Sequence, residues 1–94
     1  MKVKNINGTS SNTCHCDSWL KHWEKFSGET AGLCVEKSCT EHATVGAHVQ
    51  KSTPLDQSWY IIPLCKGHNN RKGEEIELYG SPVLVSANVN KTCG

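Results

Sequence analysis

Apolar residues recur with a helical period in one segment of the chain, DSWLKHWEKFSG at residues 17–28. Asp17 or Ser18 can cap its first turn, and Gly28 can end it. The i, i+4, i+7 spacing predicts a helix with one apolar face that packs into the core. That face contains Trp19, Trp23 and Phe26, joined by Leu20.

Shorter stretches have the pattern of β-strands. Residues 3–6 end at an Asn-Gly pair, which predicts a strand and a turn. Residues 43–50 and 59–62, on either side of a loop containing Pro54, predict a β-hairpin. Residues 64–72 predict a helix that opens after Pro63 and is closed by Gly73. Residues 76–79 and 82–87 are β-prone.

The order of these elements predicts an α+β fold in a single domain of 94 residues, 1–94. We expect the first strand, residues 3–6, to pair with residues 83–87, so that the two ends of the chain lie side by side. Hydrophobic residues make up 36% of the chain, which leaves a small core. Chains of this size commonly need disulfides, a structural metal or an oligomeric partner.

The chain has six cysteines and five histidines. The cysteines could form disulfides, or cysteines and histidines together could bind a metal. The first ten residues, MKVKNINGTS, contain no apolar stretch of the kind found in signal peptides, so we expect a cytoplasmic protein. Thiols stay reduced in that compartment, which favours metal binding over disulfides. No segment is apolar for long enough to span a bilayer, and we expect a monomer without a membrane role.

A first zinc site is predicted from two local pairs, Cys34-x4-Cys39 and Cys65-x2-His68. Structural zinc is tetrahedral and is usually held by two such pairs that are distant in sequence. A turn presents the first pair as a zinc knuckle, and the start of a helix presents the second. The hairpin between them would bring the pairs together in a treble-clef arrangement.

A second zinc site is predicted from the remaining ligand-type residues, which lie near the two ends of the chain. This site depends on the expected pairing of the terminal strands. Its alternative is that the thiols are free. The candidate ligands are Cys14, Cys16, His22 and Cys93, with His15 and His42 as replacements.

Two stretches, GAHV at residues 46–49 and WYIIPLCKGHNNRK at residues 59–72, resemble the HNH (ββα-metal) nuclease family. The similarity covers about residues 33–73. It implies that the four residues of the first site hold a structural zinc ion and that His48 matches the general base. The whole chain also resembles a group of small bacterial proteins of unassigned activity.

Three positions depart from the family pattern. Ala47 stands where the family places a ligand of the catalytic metal, Asn69 stands where it places the last ligating His, and Tyr60 replaces the Asn that orients the base. Alanine offers no ligand atom, and a neutral amide binds a divalent cation weakly. We therefore expect a non-catalytic zinc module, with an endonuclease using His48 as the alternative.

The net charge of +1 is too balanced to indicate a partner, so only local clusters of charge can do so. Lys66, Arg71 and Lys72 cluster on or just after the second helix, which favours DNA or RNA as a partner. An ordinary solvated helix end has the same composition, and basic residues there also suit the helix dipole. A protein partner, or a role as a structural subunit of a bacterial or phage assembly, is equally compatible with the sequence.

Overall fold

The computed structural model describes residues 2–6, 18–53, 55, 58–70, 73–80 and 82–87. These residues form an antiparallel sheet and two helices. Neither helix is long and apolar enough to cross a membrane. In chain order the elements are β1 (Lys2–Asn5), α1 (Trp19–Ser27), β2 (Val45–Lys51), β3 (Tyr60–Leu64), α2 (Lys66–Asn69), β4 (Glu75–Glu77) and β5 (Val85–Ser86).

Helix α1 begins and ends where its capping residues predict. The Ser18 side chain accepts a hydrogen bond from the Lys21 backbone N–H at 3.1 Å, which satisfies one donor of the first turn. Gly28 adopts φ 76°, a left-handed conformation that costs glycine little, and its N–H donates to Glu24 O at 3.2 Å. Both predicted ends of this helix are confirmed.

The strands are ordered β4-β1-β2-β3-β5 in one sheet. The predicted hairpin is confirmed as β2 and β3, with His48 opposite Ile61. The predicted pairing of the two terminal strands is wrong. β1 pairs with β2 on one side and β4 on the other, and β5 pairs with β3. Because both edges of β1 are already hydrogen-bonded, β5 has no place beside it.

The sheet has two buried faces. The α1 face carries Ile61 and Val85, which pack with Trp23 of the helix. The opposite face, which we call the knuckle face, packs against Cys34 and Cys65. Side chains alternate between the faces along each strand, so Ala47 and Val49 belong to the knuckle face, while His48 points to α1. The other buried members of the knuckle face are Val3, Ile62, Leu64, Ile76 and Leu78.

Helix α1 lies very close to β2 at Gly46. A Cβ atom placed on Gly46 would lie 2.5 Å from Leu20 N and 2.6 Å from Trp19 O, and would also overlap Trp19 C. These are backbone atoms, so no side-chain rotation could make room for a larger residue. Glycine at this position therefore allows the first turn of α1 to pack directly on the strand.

The predicted aromatic face of α1 is only partly buried. Trp23 is 4% exposed and Trp19 is half-buried, but Phe26 is 38% exposed. The prediction that Phe26 belongs to the core is wrong. His22 takes the fully buried position on this part of the helix. The Phe26 ring lies against the outside of the His22 ring, with 5.0 Å between centroids.

Helix α2 is a single turn, much shorter than the predicted helix over residues 64–72. Strand β3 continues through Pro63 to Leu64, which delays the start of the helix until Cys65 caps it. Pro63 has no N–H, but β2 loses no hydrogen bond because of it. In an antiparallel strand the N–H and C=O of one residue point to the same side. The Pro63 carbonyl points to the knuckle, where it accepts from Val35 N at 3.1 Å, so the absent N–H would also have faced away from β2.

Candidate metal centre

The four residues of the first predicted site come from two segments that meet on the knuckle face. Cys34 and Cys39 lie in the knuckle, residues 33–40, where Cys39 N donates to Glu36 O at 3.1 Å and closes the turn. Cys65 is the N-cap of α2, and His68 lies within its single turn. The structure therefore brings together the two pairs that are 26 residues or more apart in the chain.

The ligand atoms have the spacing of a tetrahedral metal site. The three Sγ atoms and a ring nitrogen of His68 all lie within 4.8 Å of one another. Cys39 Sγ is 3.8 Å from Cys65 Sγ, and His68 Nδ1 is 3.7 Å from Cys34 Sγ and 3.2 Å from Cys65 Sγ. Zinc–ligand bond lengths in a tetrahedron give about 3.8 Å between two sulfurs and about 3.6 Å between sulfur and nitrogen. These four residues can therefore hold a metal ion such as zinc.

Each sulfur of the cluster accepts a backbone N–H. Cys39 Sγ accepts from Glu41 N at 3.4 Å, and Cys65 Sγ accepts from His68 N at 3.5 Å. Cys34 accepts from the backbone of Cys65 and of Glu36. Such bonds favour the thiolate, which is the form that binds metal.

Without a cation the cluster does not favour three thiolates together. Burial raises the pKa of the Cys34 thiol to about 11, despite its two backbone hydrogen bonds. Burial would raise the pKa of Cys65 as well, but hydrogen bonds from the backbone and side chain of His68 and from the neighbouring cysteines lower it to about 7. A divalent cation would supply the positive charge that further thiolates need.

The knuckle is fixed to the rest of the domain by backbone hydrogen bonds. Lys37 N donates to Glu77 O at 2.9 Å, and Tyr79 N donates to Val35 O at 2.9 Å. Together with the bond from Val35 to Pro63, they join the knuckle to the ends of β4 and β3. The Cys34 and Cys39 side chains are therefore held by the sheet as well as by their own turn.

Two residues next to the cluster were not predicted from the sequence. Asn5 of β1 is fully buried and donates through Nδ2 to the carbonyls of His68 and Asn69. Glu36 lies at the tip of the knuckle with Oε2 3.9 Å from Nε2 of His68. Their partners are remote in sequence or across a turn, and no local pattern identifies such contacts.

The second predicted zinc site lies mostly outside the described residues, since these do not include Cys14, Cys16, Cys93 or His15. His22 is fully buried, and its Nε2 is 2.9 Å from Ser86 O in β5. The alternative ligand His42 is exposed and forms an isolated β-bridge with Leu33. The contact between His22 and Ser86 joins α1 to β5.

His48 lies on the α1 face of the sheet, opposite the Cys/His cluster. It is 7% exposed, and its ring makes an edge contact with Trp19, with 4.5 Å between centroids. Ala47 beside it is 1% exposed and belongs to the knuckle face. In the described part of the chain, His48 is therefore covered by α1 and is closed to a large substrate.

Among the basic residues predicted to contact nucleic acid, Lys66 is exposed on α2. Arg71 and Lys72 lie outside the described residues. Two other lysines, Lys4 and Lys51, line a polar groove of about 470 Å³ that also includes Gly73, the residue after Lys72.

Comparison with protein-family models, with curated proteins and with solved structures finds no match. The function must therefore be inferred from the site itself.

Proposed function

We propose that this protein is a non-catalytic zinc module in which one zinc ion, bound by Cys34, Cys39, Cys65 and His68, holds the fold together. The observation that carries the proposal is the spacing of the four ligand atoms, all within 4.8 Å of one another. The donor set of three sulfurs and one imidazole is typical of closed structural zinc sites. Its resemblance to the treble-clef zinc site of HNH proteins is consistent with this proposal.

The ion would cross-link two short segments, the knuckle and α2. The knuckle also packs in the core through Cys34 and hydrogen-bonds to the sheet, but α2 is only four residues long. Structural zinc binding contributes about 10–16 kcal/mol in small zinc domains, comparable to the whole stability of a domain of this size. Removal of the ion should therefore unfold the knuckle and α2.

Chelation tests this role. Reduced protein is treated with a zinc chelator while circular dichroism and Trp fluorescence are recorded, and zinc is then returned. The expected result is a cooperative loss of structure that zinc reverses and magnesium does not. Protein that keeps its spectrum and thermal midpoint after complete zinc removal would refute the proposal.

The non-catalytic character of the module is supported by the surroundings of His48. A general base must reach the proton that it removes, directly or through one water molecule. His48 is covered by Trp19, and Ala47 beside it has no ligand atom for a catalytic cation. An endonuclease mechanism would need an accessible general base and a ligand for the catalytic cation, so the nuclease alternative is the weaker one.

For a partner we propose nucleic acid, bound through its phosphates. The support is the groove in which Lys4 and Lys51 lie beside Gly73, next in the sequence after Arg71 and Lys72. Lysines that contact phosphates make binding dependent on salt. Glu75 also lines the groove and pairs with Lys2 at 3.8 Å, which will limit the affinity.

Gel-shift and anisotropy assays on mixed-sequence DNA and RNA over a range of salt concentrations test this partner. The expected result is binding that weakens as salt rises, with a smaller salt slope for Lys4→Ala combined with Lys51→Ala. Lys21→Ala with Lys25→Ala, on the exposed side of α1, is the matched control. Equal effects of the two pairs, or no binding at low salt, would contradict the proposal.

We also propose a second zinc ion at Cys14, Cys16, His22 and Cys93. Its support is the approach of α1 to β5, which brings His22 to the chain segment that leads to Cys93. Zinc-bound histidines usually donate their other ring N–H to an oxygen, and Ser86 O lies in such a position. A metal at His22 would then be bound through Nδ1.

A further inference from the structure

The two ring nitrogens of His68 face different partners. Nδ1 lies among the sulfurs, 3.2 Å from Cys65 Sγ and 3.7 Å from Cys34 Sγ. Nε2 lies 3.9 Å from Oε2 of Glu36, and both side chains are only 17% exposed. A neutral imidazole carries one proton, and the nitrogen without it is the one that can bind a metal. The position of that proton therefore decides whether His68 can complete the site.

The Glu36 carboxylate is held in place by its own turn. Its Oε1 accepts from Ser38 N at 2.7 Å and from Ser38 Oγ at 2.8 Å. The Glu36 carbonyl accepts from Cys39 N, which fixes the backbone on the other side. A glutamate held by several hydrogen bonds keeps its charge in one place, unlike a freely rotating surface side chain.

We propose that Glu36 is a positioning residue for the metal centre: its carboxylate keeps the His68 proton on Nε2 and so directs the Nδ1 lone pair toward the three sulfurs. This inference rests on the proposed zinc function. At 3.9 Å the attraction is electrostatic, and partial burial of both side chains weakens its screening by solvent. Carboxylates next to metal-binding histidines typically change metal affinity about 10–100-fold.

The chain supplies a matched control for Glu36. Glu41 follows Cys39 by two residues, as Glu36 follows Cys34, and both backbone N–H groups donate to the preceding cysteine sulfur. Glu41 is exposed, and among the described residues it belongs to no ion pair with a histidine. Its replacement removes the same charge near the cluster but leaves His68 unaffected.

Zinc affinity is measured by competition with a chromophoric chelator for native protein and for the variants Glu36→Ala, Glu36→Gln and Glu41→Ala. We expect Glu36→Ala to bind zinc about 10–100-fold more weakly. Glu36→Gln, which keeps an oxygen for Ser38 and His68 but loses the charge, should fall between Glu36→Ala and native protein. Glu41→Ala should bind like native protein.

A second readout separates positioning from general loosening of the knuckle. Long-range proton–nitrogen NMR spectra of the reduced, zinc-loaded protein identify the Nε2–H of His68 and the rate at which its proton exchanges with water. We expect slow exchange of this proton in native protein and in Glu41→Ala, and faster exchange in Glu36→Ala. Equal zinc affinity of Glu36→Ala and Glu41→Ala, or an unchanged exchange rate, would overturn the inference. Native protein that binds no zinc would instead refute the proposed function.

Discussion

Asn5 and His68, 63 residues apart in the chain, are joined by a hydrogen bond from Asn5 Nδ2 to the His68 carbonyl at 3.3 Å. The same amide donates to Asn69 O at 2.8 Å. These carbonyls belong to the last turn of α2, where helical hydrogen bonds run out, and the His68 carbonyl also accepts from the N–H of the C-cap residue Asn70. The first strand therefore supports the turn that carries the His ligand.

Replacement of Asn5 by alanine should loosen α2. Loss of the buried amide removes one hydrogen-bond donor from each of two carbonyls, which costs about 1–3 kcal/mol in the free energy of unfolding. Denaturant unfolding of the zinc-bound protein measures the loss. Lys4→Ala, at an exposed position of the same strand, is the control and should change stability much less. Equal stabilities of the two variants would show that the Asn5 contact does not contribute to the free energy of unfolding.

Gly46→Ala should push α1 away from β2. The new Cβ would overlap backbone atoms of Trp19 and Leu20, and overpacking of this kind costs about 1–3 kcal/mol. Gly67→Ala is the matched control, because a Cβ there meets nothing within 4 Å. Thermal unfolding should show a lower midpoint for Gly46→Ala only. A midpoint for Gly46→Ala that equals the native value would mean that the helix is not packed on Gly46.

His48 should matter for stability and not for catalysis. Supercoiled plasmid incubated with the protein and magnesium or manganese should stay intact, because His48 is covered by Trp19 and Ala47 beside it offers no ligand atom. His48→Ala should instead lower the free energy of unfolding by about 1–3 kcal/mol. Nicking by native protein that disappears in His48→Ala would place the nuclease alternative first.

His22 tests the second zinc site. His22→Ala should remove one zinc ion and also destabilise the domain, since a fully buried ring and its bond to Ser86 are lost. Ser86→Ala keeps the carbonyl that His22 contacts and is the control. Loss of stability with an unchanged zinc content would assign His22 a purely structural role.

The parts of the fold that were predictable from the sequence depend on local signals. Caps at Ser18 and Gly28 bound α1, and close pairs of Cys and His predict the cluster because each pair is presented by one turn. The sheet order was not predictable, because β1 has only four residues and its pattern fits several partners. The boundary between β3 and α2 was also not predictable, because the strand extends through Pro63, whose carbonyl accepts a hydrogen bond from the distant knuckle.

The supporting residues of the site were harder to predict than its ligands. Asn5 looks like the polar end of a strand, and Glu36 looks like part of an exposed turn. Their roles depend on contacts with His68 that form only when the sheet and the knuckle are assembled. His22 was predicted as a ligand from its residue type and its place in the first helix, and its contact with Ser86 could not be predicted from the pattern of α1.

The zinc content of a variant lacking one ligand of the first site decides whether the Cys/His cluster binds the metal. Cys39 is suited to this, because it is half-buried and its replacement by serine disturbs the core least. Native mass spectrometry of the reduced protein counts bound zinc ions in the native chain, in Cys39→Ser and in the control His42→Ala. We predict that Cys39→Ser carries one zinc ion fewer than the native chain and that His42→Ala carries the same number. An unchanged zinc content in Cys39→Ser, or a native chain without zinc, would contradict the assignment of this cluster as the metal site.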